Sequence, residues 1–135
     1  MVIHFPTALL PADLVLSFLH YYKNDPVFGQ AAFFCLVGGV AIGILAALTG
    51  LLDLILIPRE NKQALATGLL HGFLNGTIII IFGIYAYKEW SSYPAISVPT
   101  TITLLVKAIL IVALFAGNYI GGKLIYKHKV GIENN

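Results

Sequence analysis

Four long apolar segments dominate this chain of 135 residues and leave it few ways to fold. They run from about Pro6 to Tyr22, Val27 to Ile57, Ala64 to Tyr87 and Pro99 to Tyr126. Few formal charges lie inside them, chiefly Asp13, Asp53 and Lys107. A helix needs about 20 mainly apolar residues to cross a bilayer, so each segment is a candidate membrane span.

The composition agrees with a membrane location. Hydrophobic residues make up 59% of the chain and charged residues 10%, whereas a soluble domain has roughly 25% charged residues. In a bilayer only helices and closed barrels satisfy every backbone group, and these segments are too long for barrel strands. The sequence therefore predicts one all-α domain over residues 1–135, an integral membrane four-helix bundle surrounded by lipid. A net charge of +2 with scattered basic residues argues against a nucleic-acid partner.

The basic residues predict the orientation of the bundle. Arg59, Lys62, Lys123, Lys127 and Lys129 lie at one end, and Lys23 and Lys88 lie at the other. Because basic residues favour the cytoplasmic side, both termini of this multi-pass protein are expected in the cytoplasm. Aromatic residues crowd the opposite end, as an interfacial belt does. No signal peptide is expected, because no basic stretch precedes the apolar start.

Small residues form stripes on two of the predicted helices. They are Gly39, Gly43, Ala46 and Gly50 on the second helix, and Ala64, Gly68, Gly72 and Gly76 on the third. Such stripes let membrane helices approach closely. They predict packing seams within the bundle or in a homo-oligomer, or else room for a flat cofactor.

Asp13 and Lys107 are expected to form an intramembrane ion pair. Asp13 lies nine residues before Tyr22 at the outer end of its segment, and Lys107 lies eight residues after Pro99. At about 1.5 Å per residue, both charges lie roughly 12–14 Å below the outer surface. Ionisable groups in a membrane are costly and usually have partners. The pair either fixes the order of the helices or belongs to a proton path or an anionic-ligand site.

A second polar group combines Asp53, His71 and Asn75. His71 and Asn75 are four residues apart and therefore share a helix face. A carboxylate beside a histidine can accept its Nδ1 proton and fix its tautomer. The group is either a buried hydrogen-bonded network or part of a ligand site.

His4 and His71 form the third candidate site. His4 lies about 27 Å along its helix from Tyr22, and His71 about 24 Å from Tyr87, so both imidazoles are expected at similar depth. Neighbouring helices would then offer the two side chains to one metal from opposite sides, as bis-histidine haem requires. The two histidines are either packing residues of the bundle or the metal ligands of a haem. In the second case the predicted cofactor is haem b, with Asp53 and Asn75 supporting His4 and His71.

The motifs His4-Phe5-Pro6, Thr49-Gly50-Leu51-Leu52-Asp53 and Leu69-Leu70-His71 resemble those of domain-of-unknown-function family 2231. The resemblance covers essentially the whole chain and implies a small four-helix protein of the bacterial inner membrane. Members of that family occur fused to, or beside, cytochrome-like and Rieske-like redox domains, which implies electron transfer. The motifs carry over His4, Asp53 and His71 as functional candidates, and Asp13 as a weaker one.

Three functions remain open from the sequence. The first is a cytochrome b-like electron carrier that works with a redox protein or a quinol, with Lys107 or Arg59 near the haem propionates. The second is a cofactor-free structural or assembly subunit of a membrane complex. The third is a small transporter or proton channel through Asp13, Lys107 and His20. No metalloprotease, P-loop or hydrolase motif is present in the sequence, so a catalyst acting on its own is not expected.

Overall fold

The computed structural model describes residues 4–126 and is entirely helical over that range. Its elements are α1 (His4–Lys23), α2 (Pro26–Leu56), α3 (Lys62–Trp90) and α4 (Thr101–Tyr126). This confirms the predicted all-α four-helix class. The largest difference in the boundaries concerns α3, which continues three residues beyond Tyr87. The predicted ion pair is affected by this, because the extra turn contains Glu89.

Local capping explains where the helices begin and end. Asn24 adopts a left-handed conformation with φ 52° and donates its N–H to the carbonyl of His20 at 2.9 Å, which closes α1. Asp25 then accepts the N–H of Val27 at 3.0 Å, and Pro26 occupies the first turn of α2. At the start of α4, the Thr100 hydroxyl accepts the Thr103 N–H at 3.2 Å, so α4 begins after Pro99 rather than at it.

The helices form a ring in which each packs on the next and α4 closes on α1. Within residues 4–126 the backbones of α1 and α3 do not approach each other, so these two helices are diagonal. One end of the ring carries Tyr21, Tyr22, Trp90 and Tyr93, and is called the aromatic end. The opposite end carries Arg59, Lys62 and Lys123, and is called the basic end.

Three helices, α2, α3 and α4, are long and apolar enough to cross a membrane, with mean hydropathies of 2.5, 1.7 and 2.0 over their most apolar windows. The fourth predicted span, α1, does not reach this standard. Its 20 residues extend about 30 Å, so apolarity rather than length sets it apart. Its polar side chains Asp13, Ser17 and His20 are buried against the other helices rather than directed at lipid.

Glycines provide the closest helix contacts, but only part of each predicted stripe does so. A Cβ at Gly39 would lie 2.7 Å from the Leu10 side chain, and one at Gly43 would overlap Ile79. Gly68 packs in the same way on Leu54. By contrast, a Cβ at Gly50, Gly72 or Gly76 would meet nothing within 4 Å. The stripes are packing seams over half their length and open surface over the rest.

The open surface lies toward the basic end of α2 and α3. Every residue from Ala47 to Asp53 is exposed, on all faces of α2. In α3, Leu69, Leu70 and Phe73 are exposed as well. The buried core lies nearer the aromatic end and is formed by Leu10, Leu36, Val40, Ile78, Ile79, Phe82, Ala86, Leu110, Ile111 and Leu114.

Candidate functional site

A buried charged group joins three helices and is called the lysine cluster: Lys107 of α4, Asp13 and Ser17 of α1, and Glu89 of α3. Lys107 Nζ lies 2.8 Å from Asp13 Oδ1, 3.1 Å from Ser17 Oγ and 3.4 Å from Glu89 Oε1. The side chains of Lys107 and Asp13 are both 0% exposed. The structure thus brings together the two charges that were paired by counting depth along the helices.

Glu89 is the member of the lysine cluster that sequence reasoning missed. The predicted third segment ended at Tyr87, which left Glu89 in a loop. Its side chain is only 19% exposed, because α3 continues through this residue and carries it over Lys107. Glu89 follows Tyr85 by four residues and shares its helix face, and Tyr85 also faces Lys107, with 5.9 Å between its ring centroid and Nζ. Hydropathy gave no signal for the extra turn that carries Glu89.

His71 lies in a separate polar contact between α3 and α4. Its Nδ1 is 2.8 Å from the carbonyl oxygen of Gly117. A carbonyl can only accept, so this hydrogen bond requires a hydrogen on Nδ1; in the neutral ring, Nε2 then has the free lone pair. Asn75 Nδ2 lies 3.0 Å from the same Nδ1 and donates to the His71 carbonyl at 3.1 Å. Asn75 Oδ1 is buried and has no hydrogen-bond partner among the described residues.

The predicted contact between Asp53 and His71 is wrong. Asp53 is exposed on α2, and the Nδ1 hydrogen of His71 goes to a backbone carbonyl of α4 instead. Glycines at positions 117 and 121 let α4 approach so closely that its main chain replaces the expected carboxylate. A Cβ at Gly121 would lie 2.5 Å from the His71 ring. The carbonyl of Gly117 therefore accepts the Nδ1 hydrogen of His71, which was the role expected of Asp53.

His4 lies on α1, and α4 packs on both α1 and α3, the helix of His71. Thr7, one turn along α1 from His4, accepts a hydrogen bond from Asn118 Nδ2 at 3.0 Å. Asn118 is flanked along α4 by Gly117 and Gly121, the positions that contact His71. Measured along α4, His4 and His71 therefore lie within about one turn, or about 5 Å, of the same level. They are on diagonal helices, however, not on neighbouring ones as predicted.

His20 takes no part in either arrangement. It is 3% exposed on α1, and its ring fills the space above Gly29 of α2, where a Cβ would lie 2.5 Å from Nδ1. Within residues 4–126, no group of three or more His, Cys, Asp or Glu side chains could hold a bare metal ion.

Adjacent glycines of α4 allow a direct test of the His71 contact. Gly121→Ala is expected to lower the free energy of unfolding by about 1–3 kcal/mol, because the new methyl group overpacks the His71 ring. Gly122→Ala meets nothing within 4 Å and is expected to raise it by about 0.5–1 kcal/mol through helix propensity. Thermal unfolding of both variants in the same detergent measures the difference. Equal effects at the two positions would contradict the packing of His71 on α4.

One of three comparisons with known proteins finds a match. A search of curated proteins finds no match, and neither does a search of solved structures. A family model described as "Predicted membrane protein (DUF2231)" matches residues 1–134. The resemblance carried by the three motifs around His4, Asp53 and His71 is thereby confirmed, and the chain belongs to the DUF2231 family of membrane proteins.

Proposed function

We propose that this protein is a haem b-binding electron carrier of the bacterial inner membrane, in which His4 and His71 would hold the iron. It would exchange electrons with a quinol or a redox protein rather than catalyse a reaction on its own. Both termini would face the cytoplasm, so the histidines would lie toward that side.

The hydrogen bond from His71 to Gly117 is the observation that supports this proposal most. It requires a hydrogen on Nδ1, so Nε2 is the nitrogen that would bind a metal. Histidines that bind metals commonly donate their other nitrogen to a carbonyl or carboxylate in this way. The contact holds the ring in one orientation with a backbone carbonyl, so it needs no charged side chain beside His71.

The placement of the two histidines fits a flat cofactor. His4 on α1 and His71 on α3 would hold such a group between two diagonal helices, as in other helical bundles with a cofactor in the core. Gly50, Gly72 and Gly76 leave open surface, with no helix packed on it, on the same half of the molecule. Asn75 Oδ1, buried and without a partner, offers an acceptor close to His71. A haem bound there would supply reversible one-electron chemistry.

The basic end fits the charged edge of such a group better than the lysine cluster does. All three N–H donors of Lys107 are used within the cluster, so it has none for propionates. Arg59 and Lys123 are exposed at the end of the bundle nearer His71. Of the two residues suggested for the propionates, Arg59 therefore remains and Lys107 does not.

Absorption spectra of gently purified protein, oxidised and then reduced with dithionite, test the proposal. We expect sharp reduced bands and about one haem per chain by pyridine haemochrome assay, as two axial histidines bind one iron. A protein that stays colourless after haem is added back would contradict it. Binding of haem with no difference between reduced and oxidised spectra would contradict electron transfer specifically.

A cofactor-free structural subunit is the second candidate, and the lysine cluster favours it. Its hydrogen bonds join α1, α3 and α4 through one ammonium group, so the cluster fixes the helix order without any ligand. The exposed surface of Leu48, Leu51 and Leu52 on α2 would then contact another membrane subunit. Co-purification of a partner with colourless protein, lost on Leu51→Arg but not on the control Ile102→Arg at exposed α4, would select this function.

A further inference from the structure

We propose that the lysine cluster is a proton-binding site, in which the carboxylates of Asp13 and Glu89 hold one proton at neutral pH and exchange it with water at the aromatic end. This inference does not depend on the proposed haem. It concerns the opposite half of the bundle and none of the residues assigned to haem.

The charges in the cluster do not balance without a proton. Two carboxylates, Asp13 and Glu89, face one ammonium group, Lys107, so full ionisation leaves a net charge of −1. The other titratable groups nearby are Cys35 of α2, which interacts electrostatically with Asp13, and Tyr85 of α3. Neither carries positive charge. Because an unbalanced charge among membrane helices is costly, one added proton stabilises the cluster.

The hydrogen-bond donors in the cluster are also too few. The ammonium group of Lys107 has three donors, and they go to Asp13, Ser17 and Glu89. The only other donor, the hydroxyl of Ser17, goes to Asp13 Oδ1 at 3.2 Å. Asp13 Oδ2 and Glu89 Oε2 are buried and have no partner among the described residues. A proton on either carboxyl group removes the negative charge from a buried oxygen that receives no hydrogen bond.

Exposure gives the site a direction. The Asp13 side chain is 0% exposed, whereas the Glu89 side chain is 19% exposed, in the last turn of α3. Glu89 is therefore the more accessible of the two acidic side chains and lies at the aromatic end, and Asp13 is the inner one. Lys107 lies between them and hydrogen-bonds to both. The arrangement suits uptake and release of a proton from one side of the membrane.

Infrared spectroscopy of the protein in lipid vesicles tests this inference. At neutral pH we expect the carbonyl band of a protonated carboxylic acid in wild-type protein, shifted to lower frequency in D2O. The band is expected to disappear in Asp13→Asn/Glu89→Gln, whose amides preserve shape. It should remain in Asp53→Asn, a control at an exposed position far from the cluster.

Wild-type protein without such a band at neutral pH would overturn the inference, and this measurement requires no variant to fold. Survival of the band in the double variant would also overturn it. A small cation could balance the cluster in place of the proton. In that case the band would be absent and the melting temperature would rise with sodium or potassium but not with choline, an outcome that also overturns it.

Discussion

Replacing Lys107 with Met is expected to lower the free energy of unfolding by about 3–5 kcal/mol, the usual cost of removing one partner from a buried ion pair. Methionine fills much of the space of the lysine stem but donates no hydrogen bonds. Asp13 Oδ1 and Glu89 Oε1 would each lose their ammonium partner, and Asp13 is fully buried. Thermal and denaturant unfolding in one detergent, followed by circular dichroism, measures the loss.

Two further variants separate the lost charge from the lost lysine. Lys123→Met lies on the same helix at an exposed position and is expected to change stability by less than about 0.5 kcal/mol. Adding Asp13→Asn to Lys107→Met removes the fully buried charge of Asp13 and is expected to restore a large part of the loss. If Lys107→Met unfolds like Lys123→Met, the cluster does not hold α1, α3 and α4 together.

The Lys107 contact was predictable because depth is simple arithmetic along a helix. Asp13 and Lys107 are the innermost formal charges of their segments. Because an isolated charge in a membrane is costly, an ion pair between them is favoured. Glu89 was not predictable in the same way, since its placement depends on where α3 ends. Helix ends are set by local hydrogen bonds, here the N–H of Ser91 with the carbonyl of Tyr87 at 3.2 Å, and hydropathy does not report them.

The surroundings of His71 were less predictable still. Side-chain partners can be proposed from residue types, which is why Asp53 was chosen, but a backbone carbonyl is present at every residue. What selects Gly117 is the close approach of α4, made possible by missing side chains at positions 117 and 121. Those glycines were not in either predicted stripe. The stripes themselves were half right, because Gly50, Gly72 and Gly76 line open surface rather than a helix contact.

Replacing His71 with Ala is expected to remove the absorption of bound haem, with retention falling by more than about tenfold. The physical reason is that loss of residues which merely support a metal ligand already costs about 10- to 100-fold, and His71 would be the ligand itself. The fold is expected to persist, because the His71 side chain lies outside the buried core cluster. Spectra before and after haem addition, with circular dichroism on the same samples, measure the two effects separately.

His20→Ala is the matched control for that experiment. It also removes one histidine, but from the contact with Gly29 on the aromatic half of the bundle, so haem content is expected to stay unchanged even if stability falls. Imidazole added to His71→Ala protein is expected to restore part of the spectrum by occupying the space of the missing ring. Unchanged haem absorption in His71→Ala, or equal loss in both variants, would show that His71 is not a ligand and would favour the structural subunit.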